Sequence, residues 1–77
     1  MSIQVKFFAS LRERLGTGSV EIEDLTVSTV REAWQQATQQ NGIPANTLCA
    51  INMQYAKLDD AVRDGDEVAF FPPVTGG

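Results

Sequence analysis

The chain has no histidine and a single cysteine, Cys49. Without imidazole, His-based acid–base catalysis and His metal ligation are excluded. One thiol cannot close an internal disulfide, and a secreted domain this small would be expected to use several, so cysteine usage points to the cytoplasm. A resident iron–sulfur cluster, which would need about four cysteines, is ruled out by the same count. Basic residues are also scarce, six against ten acidic ones for a formal charge of −4. Such a surface repels phosphate backbones, so nucleic acid is not an expected partner, and a basic protein surface is the natural complement. No apolar run approaches membrane-spanning length. Met1-Ser2-Ile3-Gln4 leads into strand pattern without the charged start and apolar stretch of an export signal, so neither export nor membrane anchoring is expected.

What remains is ordinary globular material, 43% hydrophobic and 21% charged over 77 residues, enough for one domain with a small core. Ile3, Val5 and Phe7 alternate with Gln4, Lys6 and Phe8, the pattern of a half-buried strand with Phe8 on its polar side. Residues 9–15 allow a short helical turn. Gly16-Thr17-Gly18 breaks the chain, and Val20 and Ile22 alternating with Glu21 and Glu23 predict a second strand returning beside the first. Thr29 followed three residues later by Glu32 fits a capping box. Val30, Ala33, Trp34 and Ala37 then set an apolar helical stripe of about three turns that Gly42 and Pro44 end. Residues 48–53 read as a third strand and 67–71 as a last one, with turn chemistry at Asp59-Asp60 and Asp64-Gly65-Asp66 and a stop at Pro72-Pro73. The order β-β-α-β-β predicts an α+β fold in which a sheet wraps one main helix.

Period-two alternation puts Val68 and Phe70 on one face and Ala69 and Phe71 on the other. If the first pair joins the core, Phe71 points outward as Phe8 does. The two form a paired exposed patch if the first and last strands are neighbours, and aromatics at such positions favour an interface. Tyr55 is a candidate third member whose face the local pattern does not assign.

The domain, residues 1–71, is followed by a tail, residues 72–77, Pro72-Pro73-Val74-Thr75-Gly76-Gly77. Extended, it reaches about 20 Å, far enough to enter a neighbour's pocket. The prolines favour an extended base, and Gly76 and Gly77, lacking Cβ atoms, suit passage through a narrow channel. A terminal carboxylate is a poor electrophile until activated. An acyl adenylate made by an ATP-using partner could yield a thiocarboxylate with sulfide or an isopeptide bond with a lysine. The tail suits either.

Three other features read as structural. Cys49 within an apolar strand reads as a small buried hydrophobe and not a sulfur relay, and Trp34 falls in the helix stripe. The acidic run Asp59, Asp60, Asp64, Asp66 and Glu67 lacks EF-hand spacing and serves turns and solubility, so no metal site is expected.

The run Phe7-Phe8-Ala9-Ser10-Leu11-Arg12-Glu13, the stretch from Asp64 through Phe70-Phe71-Pro72-Pro73-Val74 and the ending Thr75-Gly76-Gly77 together resemble the small, sulfur-carrier subunits of molybdopterin synthase. The resemblance spans nearly the whole chain and is weak between about 35 and 48. Trp34, Cys49 and Tyr55 depart from the family pattern. It implies a ubiquitin-like β-grasp fold and a chain that is not an enzyme by itself and holds no permanent cofactor. It further implies an E1-like enzyme that uses ATP to adenylate Gly77, and a sulfur-delivering enzyme that leaves a 1-thioglycine there. The implied working complex is a heterotetramer of two large and two small subunits, where the tail sulfur builds the dithiolene of molybdopterin from cyclic pyranopterin monophosphate. By the same resemblance Phe8, Tyr55 and Phe71 pack on partner proteins, as do Pro72, Pro73, Val74 and Thr75 along the tail. The related carrier of thiamine synthesis would not be expected to have the Phe-Phe-Pro-Pro run, and a lysine-conjugated protein modifier is the more distant alternative.

Overall fold

A computed structural model describes residues 2–23 and 26–73. The chain runs β1 (Ile3–Phe7), α1 (Ala9–Leu15), β2 (Ser19–Ile22), α2 (Val30–Thr38), β3 (Leu48–Ile51), β4 (Gln54–Ala56) and β5 (Glu67–Phe71). The strands form one mixed sheet in the order β2-β1-β5-β3-β4. β1 and β5, the first and last strands, are parallel neighbours at its centre with Phe7 opposite Phe70. All other strand pairs are antiparallel.

The alternation read from the sequence holds in β1 and β5. Ile3, Val5, Phe7, Val68 and Phe70 are buried on the inner face. There α2 lays Val30, Ala33 and Trp34 against them, while Ala37 packs at the margin. Trp34 meets Phe70 edge-on at 5.1 Å between ring centroids and Phe7 at 5.8 Å, and the two phenylalanines stack at 6.0 Å. Edge-to-face and offset contacts of this kind add to the burial of the rings. The indole N–H, which would be costly to bury unpaired, donates to the Gly42 carbonyl at 3.0 Å. Cys49 lies in the same inner row, between Phe70 and Ala56 in the register. Its thiol donates to the Ala56 carbonyl, and burial, with a lesser push from Asp60, raises its pKa, as expected of a structural hydrophobe.

Thr29 caps α2 with both halves of the predicted box. Glu32 N–H donates to the Thr29 hydroxyl at 3.2 Å, and Thr29 N–H donates to the Glu32 carboxylate at 3.1 Å. The next two free N–H groups of the helix, on Val30 and Arg31, donate to the carbonyls of Asp60 and Leu58, tying the helix start to the β4–β5 loop. At the other end the helix stops at Thr38, four residues before Gly42. Gln39 takes a left-handed conformation, φ 60°, while the Thr38 hydroxyl donates to the Trp34 carbonyl at 2.8 Å. Beyond Ala37 the sequence offers Thr38, Gln39 and Gln40, with nothing apolar to bury, so local side-chain bonding replaces another turn.

Three elements differ from the pattern read above. Residues 9–15 make a full seven-residue helix, α1, that ends on Gly16 at φ 73°, a backbone state glycine adopts without strain. β3 ends at Ile51 instead of Met53, and a short edge strand, β4, follows. Asn52 and Met53 form the two-residue turn between them, at φ 49° and 70°. Two left-handed residues in sequence are the mark of a type I′ hairpin turn, whose twist matches that of its strands and whose second place usually holds glycine. Asn52 pins this turn to the start of β5. Its side-chain oxygen accepts from Glu67 N–H and its amide donates to Asp66, both at 3.0 Å.

Three outcomes follow for stability. Thr29→Ala removes a cap and should lower the unfolding free energy by about 1 kcal/mol in a denaturant titration. Hydrogen bonds to Glu32, first from the Ser28 hydroxyl and then from its N–H, with lesser ones from Thr29, hold the Glu32 carboxyl below its ordinary pKa despite opposing desolvation. A depressed folded pKa gives stability that is complete above the ordinary carboxylate value and is lost as pH falls through the folded one. Glu32→Gln should therefore flatten the acid limb of the stability profile; an unchanged limb would remove Glu32 from the account. Met53→Gly should hold or raise stability, by up to roughly 1 kcal/mol, because a left-handed non-glycine residue costs about that much. A loss on thermal unfolding would mean that the Met53 side chain stabilises the isolated domain.

Candidate functional site

On the outer face of the sheet, register places Lys6, Ala69, Ala50 and Tyr55 in one row across β1, β5, β3 and β4. Phe71 and Leu48 pair in the adjoining row. Phe8 follows β1 directly and ties itself to β5 by donating its N–H to the Phe70 carbonyl at 3.1 Å. The outcome is a shallow concavity of about 340 Å³ with Ala50 and Ala69 in its floor and Phe8, Tyr55, Phe71 and Met53 around it. Small floor residues leave the aromatics standing proud. Phe8 is 47% exposed, Tyr55 79% and Met53 92%, although none is charged. Tyr55 and Phe71 touch, with centroids 5.9 Å apart and planes tilted by 54°. On the β1 side the patch ends at the Lys6–Glu67 ion pair, 3.3 Å apart and open to water, which marks a polar rim more than a source of stability.

The geometry gathers Phe8, Phe71 and Tyr55 into one site. It assigns Tyr55 the outward face that the local pattern left open. Phe71 is half-buried by its neighbours. Pro72 is half-buried and Pro73 exposed where the chain leaves the sheet beside this patch. Val74, Thr75, Gly76 and Gly77 lie outside the described residues. Met53 and the alanine floor were not singled out from the sequence. Asn52, a residue that tolerates left-handed backbone, was the available signal for the turn that presents Met53.

The acidic run is engaged in turns and ion pairs. Asp60 accepts from Lys57 N–H at 2.8 Å, Asp66 accepts from Arg63 N–H at 2.9 Å, and Asp59 pairs with Arg31. Among the described residues no group of three or more His, Cys, Asp or Glu side chains could hold a metal ion, and no helix is long and apolar enough to cross a membrane. A larger hollow, about 580 Å³, flanks α1 between Arg12, Glu13 and the Gly16-Thr17-Gly18 turn. It has opposed charges and no apolar side chain larger than Ala9, so the smaller aromatic concavity is the better candidate.

The ThiS family model matches residues 5–77. The molybdopterin synthase sulfur carrier subunit of Haemophilus influenzae is 40% identical to this chain, over 97% of it and 99% of the relative. The protein of the same name from Escherichia coli is 39% identical with the same coverage. Among solved structures, SAMP1 from Haloferax volcanii superposes over the whole of both chains with a TM-score of 0.78 at 29% identity. The mixed sheet around α2 is thus the ubiquitin-like β-grasp that the sequence resemblance implied, with one further strand and a second helix. With a family match over 73 of 77 positions (residues 5 through 77) and relatives matched almost end to end, the chain belongs to the ThiS family.

Proposed function

We propose that this chain is the sulfur carrier of molybdopterin synthesis, the small subunit of a molybdopterin synthase, working in the cytoplasm. The observation behind this reading is the aromatic concavity where central strand β5 passes into Pro72-Pro73 and the Gly76-Gly77 ending. A docking face at the root of an arm fixes where the arm starts, and an arm of about 20 Å then reaches a partner's interior. The names of the full-length relatives support the same role.

In this reading residues 1–71 are the docking body and 72–77 the reactive tail. The Gly77 carboxylate, ionised at neutral pH, attacks the α-phosphorus of ATP on an E1-like partner and pyrophosphate leaves. A sulfur-delivering enzyme then supplies sulfide-level sulfur that displaces AMP, which leaves a thiocarboxylate at Gly77. Phe8, Tyr55 and Phe71 seat the body on the large subunit, and Pro72 through Thr75 line the entry of the tail. The thiocarboxylate sulfur is donated to cyclic pyranopterin monophosphate in the large subunit. The other catalytic groups belong to that partner, in an assembly of two large and two small subunits. The chain itself holds no resident cofactor, and ATP is consumed at the activating enzyme.

Incubation with an adenylating partner, ATP and a sulfur donor should replace one oxygen by sulfur at Gly77, read by mass spectrometry of the C-terminal peptide. Deleting Gly77, or adding one residue after it, should abolish pterin sulfuration with the fold intact. Retained activity in either variant would contradict a terminal mechanism. Lysine conjugates in lysate without any thiocarboxylate would favour a protein modifier. Phe71→Ala and Tyr55→Ala should each weaken large-subunit binding by roughly 1–3 kcal/mol. Tyr55 is so exposed that its variant should unfold as the parent does, and unchanged affinity in both variants would return these rings to a purely structural role.

A further inference from the structure

Met53 stands where a type I′ turn favours glycine. Its left-handed backbone, φ 70°, is a state that side chains disfavour and that glycine holds freely. The side chain is 92% exposed, so it adds almost nothing to the core of the isolated domain. Backbone strain at a residue that packs nothing inside is a pointer to function. That function is to be sought at the concavity it lines with Phe8, Tyr55 and Phe71, and Asn52 holds the turn in place by its two bonds to β5.

A thioether in that position has chemistry that leucine or phenylalanine lacks. It is soft, adaptable and attracted to aromatic rings, which suits a docking face. It is also oxidised by peroxides to a sulfoxide, a polar and stereogenic group that disrupts apolar interfaces. The other described sulfur, Cys49 Sγ, is buried and hydrogen-bonded to the Ala56 carbonyl, so the exposed thioether is the more accessible of the two.

We propose that Met53 is a peroxide-oxidisable anchor of the docking face, and that its conversion to the sulfoxide in the free chain disables docking to the large subunit. The sulfur lone pair attacks one peroxide oxygen, the S–O bond forms as O–O breaks, and the departing hydroxide takes the remaining proton to leave as water. Sulfur loses two electrons and hydrogen peroxide gains them. Thiol-driven methionine sulfoxide reductases reverse the step. The unloaded tail ends in a carboxylate with no sulfur to oxidise, so peroxide acting before loading would close the face without altering the tail. This inference rests on the docking role proposed above.

The test uses the full chain and its large subunit. Hydrogen peroxide should add one oxygen to the peptide containing Met53, and the dissociation constant should rise at least about tenfold, the effect of losing one interface anchor. Peptide mapping is needed because replacing oxygen by sulfur at Gly77 changes the intact mass by nearly the same amount. Reductase treatment should restore binding, and prior docking should shield Met53 from peroxide. In Met53→Leu, whatever its own affinity, the ratio of treated to untreated affinity should fall to about one, which separates Met53 from Met1 and Cys49. Equal binding before and after stoichiometric Met53 oxidation would overturn the inference while leaving the docking reading intact. A persistent peroxide response in Met53→Leu would overturn it as well. Failure of the untreated, reduced chain to bind would overturn both.

Discussion

Two Phe-Phe dipeptides lie side by side in parallel strands, and most of what this domain does follows from that register. Phe7 opposite Phe70 sends one ring of each pair inward and one outward, since successive side chains take opposite faces. The inward rings close the core against Trp34. The outward ones, Phe8 and Phe71, line the concavity proposed as the docking face. A slip of one residue between β1 and β5 would exchange the two roles and leave neither surface complete. Core and site are therefore one constraint seen from two sides of a single sheet.

The constraint needs support, because a small domain has little apolar area to spend on holding register. α2 supplies it by covering β1 and β5 together, with Trp34 touching both inward phenylalanines. The indole in turn is satisfied by Gly42, so the loop out of α2 is fixed by the same side chain that fills the core. At the helix start the capping box and the backbone bonds to Leu58 and Asp60 bind the β4–β5 connection. Among the described residues no buried side-chain N or O atom lacks a hydrogen-bond partner.

Legibility in the sequence divides along the range of the deciding interactions. Local, periodic signals read correctly: the alternation of β1 and β5, the capping box at Thr29 and Glu32, the helix stripe and the turn role of the aspartates. The outward direction of Phe8 and Phe71 was legible for the same reason, and only their adjacency needed the fold. What escaped depends on pairing between segments, near in sequence for β4 and far for the turn before it. β4 is three residues long and polar at Gln54, and it exists because β3 offers it an edge. Met53 read as strand because the left-handed turn is stabilised by Asn52 bonding to Asp66 and Glu67, more than a dozen residues on. Ala50 lay in a run read only as an apolar strand, and in the register it shares the outward row of Ala69 and Tyr55. The closing motif and the family match reached the tail, which no periodicity describes.

The proposed docking face has two sources with different freedom to change. Phe8 and Phe71 are bound to the core through their neighbours Phe7 and Phe70, so altering the backbone beneath them disturbs the aromatic cluster. Tyr55 and Met53 sit on an edge hairpin whose side chains contribute little inside, held by backbone pairing and by Asn52. Substitution there changes the rim of the concavity at small cost to the fold. If this face docks as proposed, partner discrimination is most readily tuned at this hairpin. In the proposed role, the choice of which enzyme receives the tail falls to the face at its base.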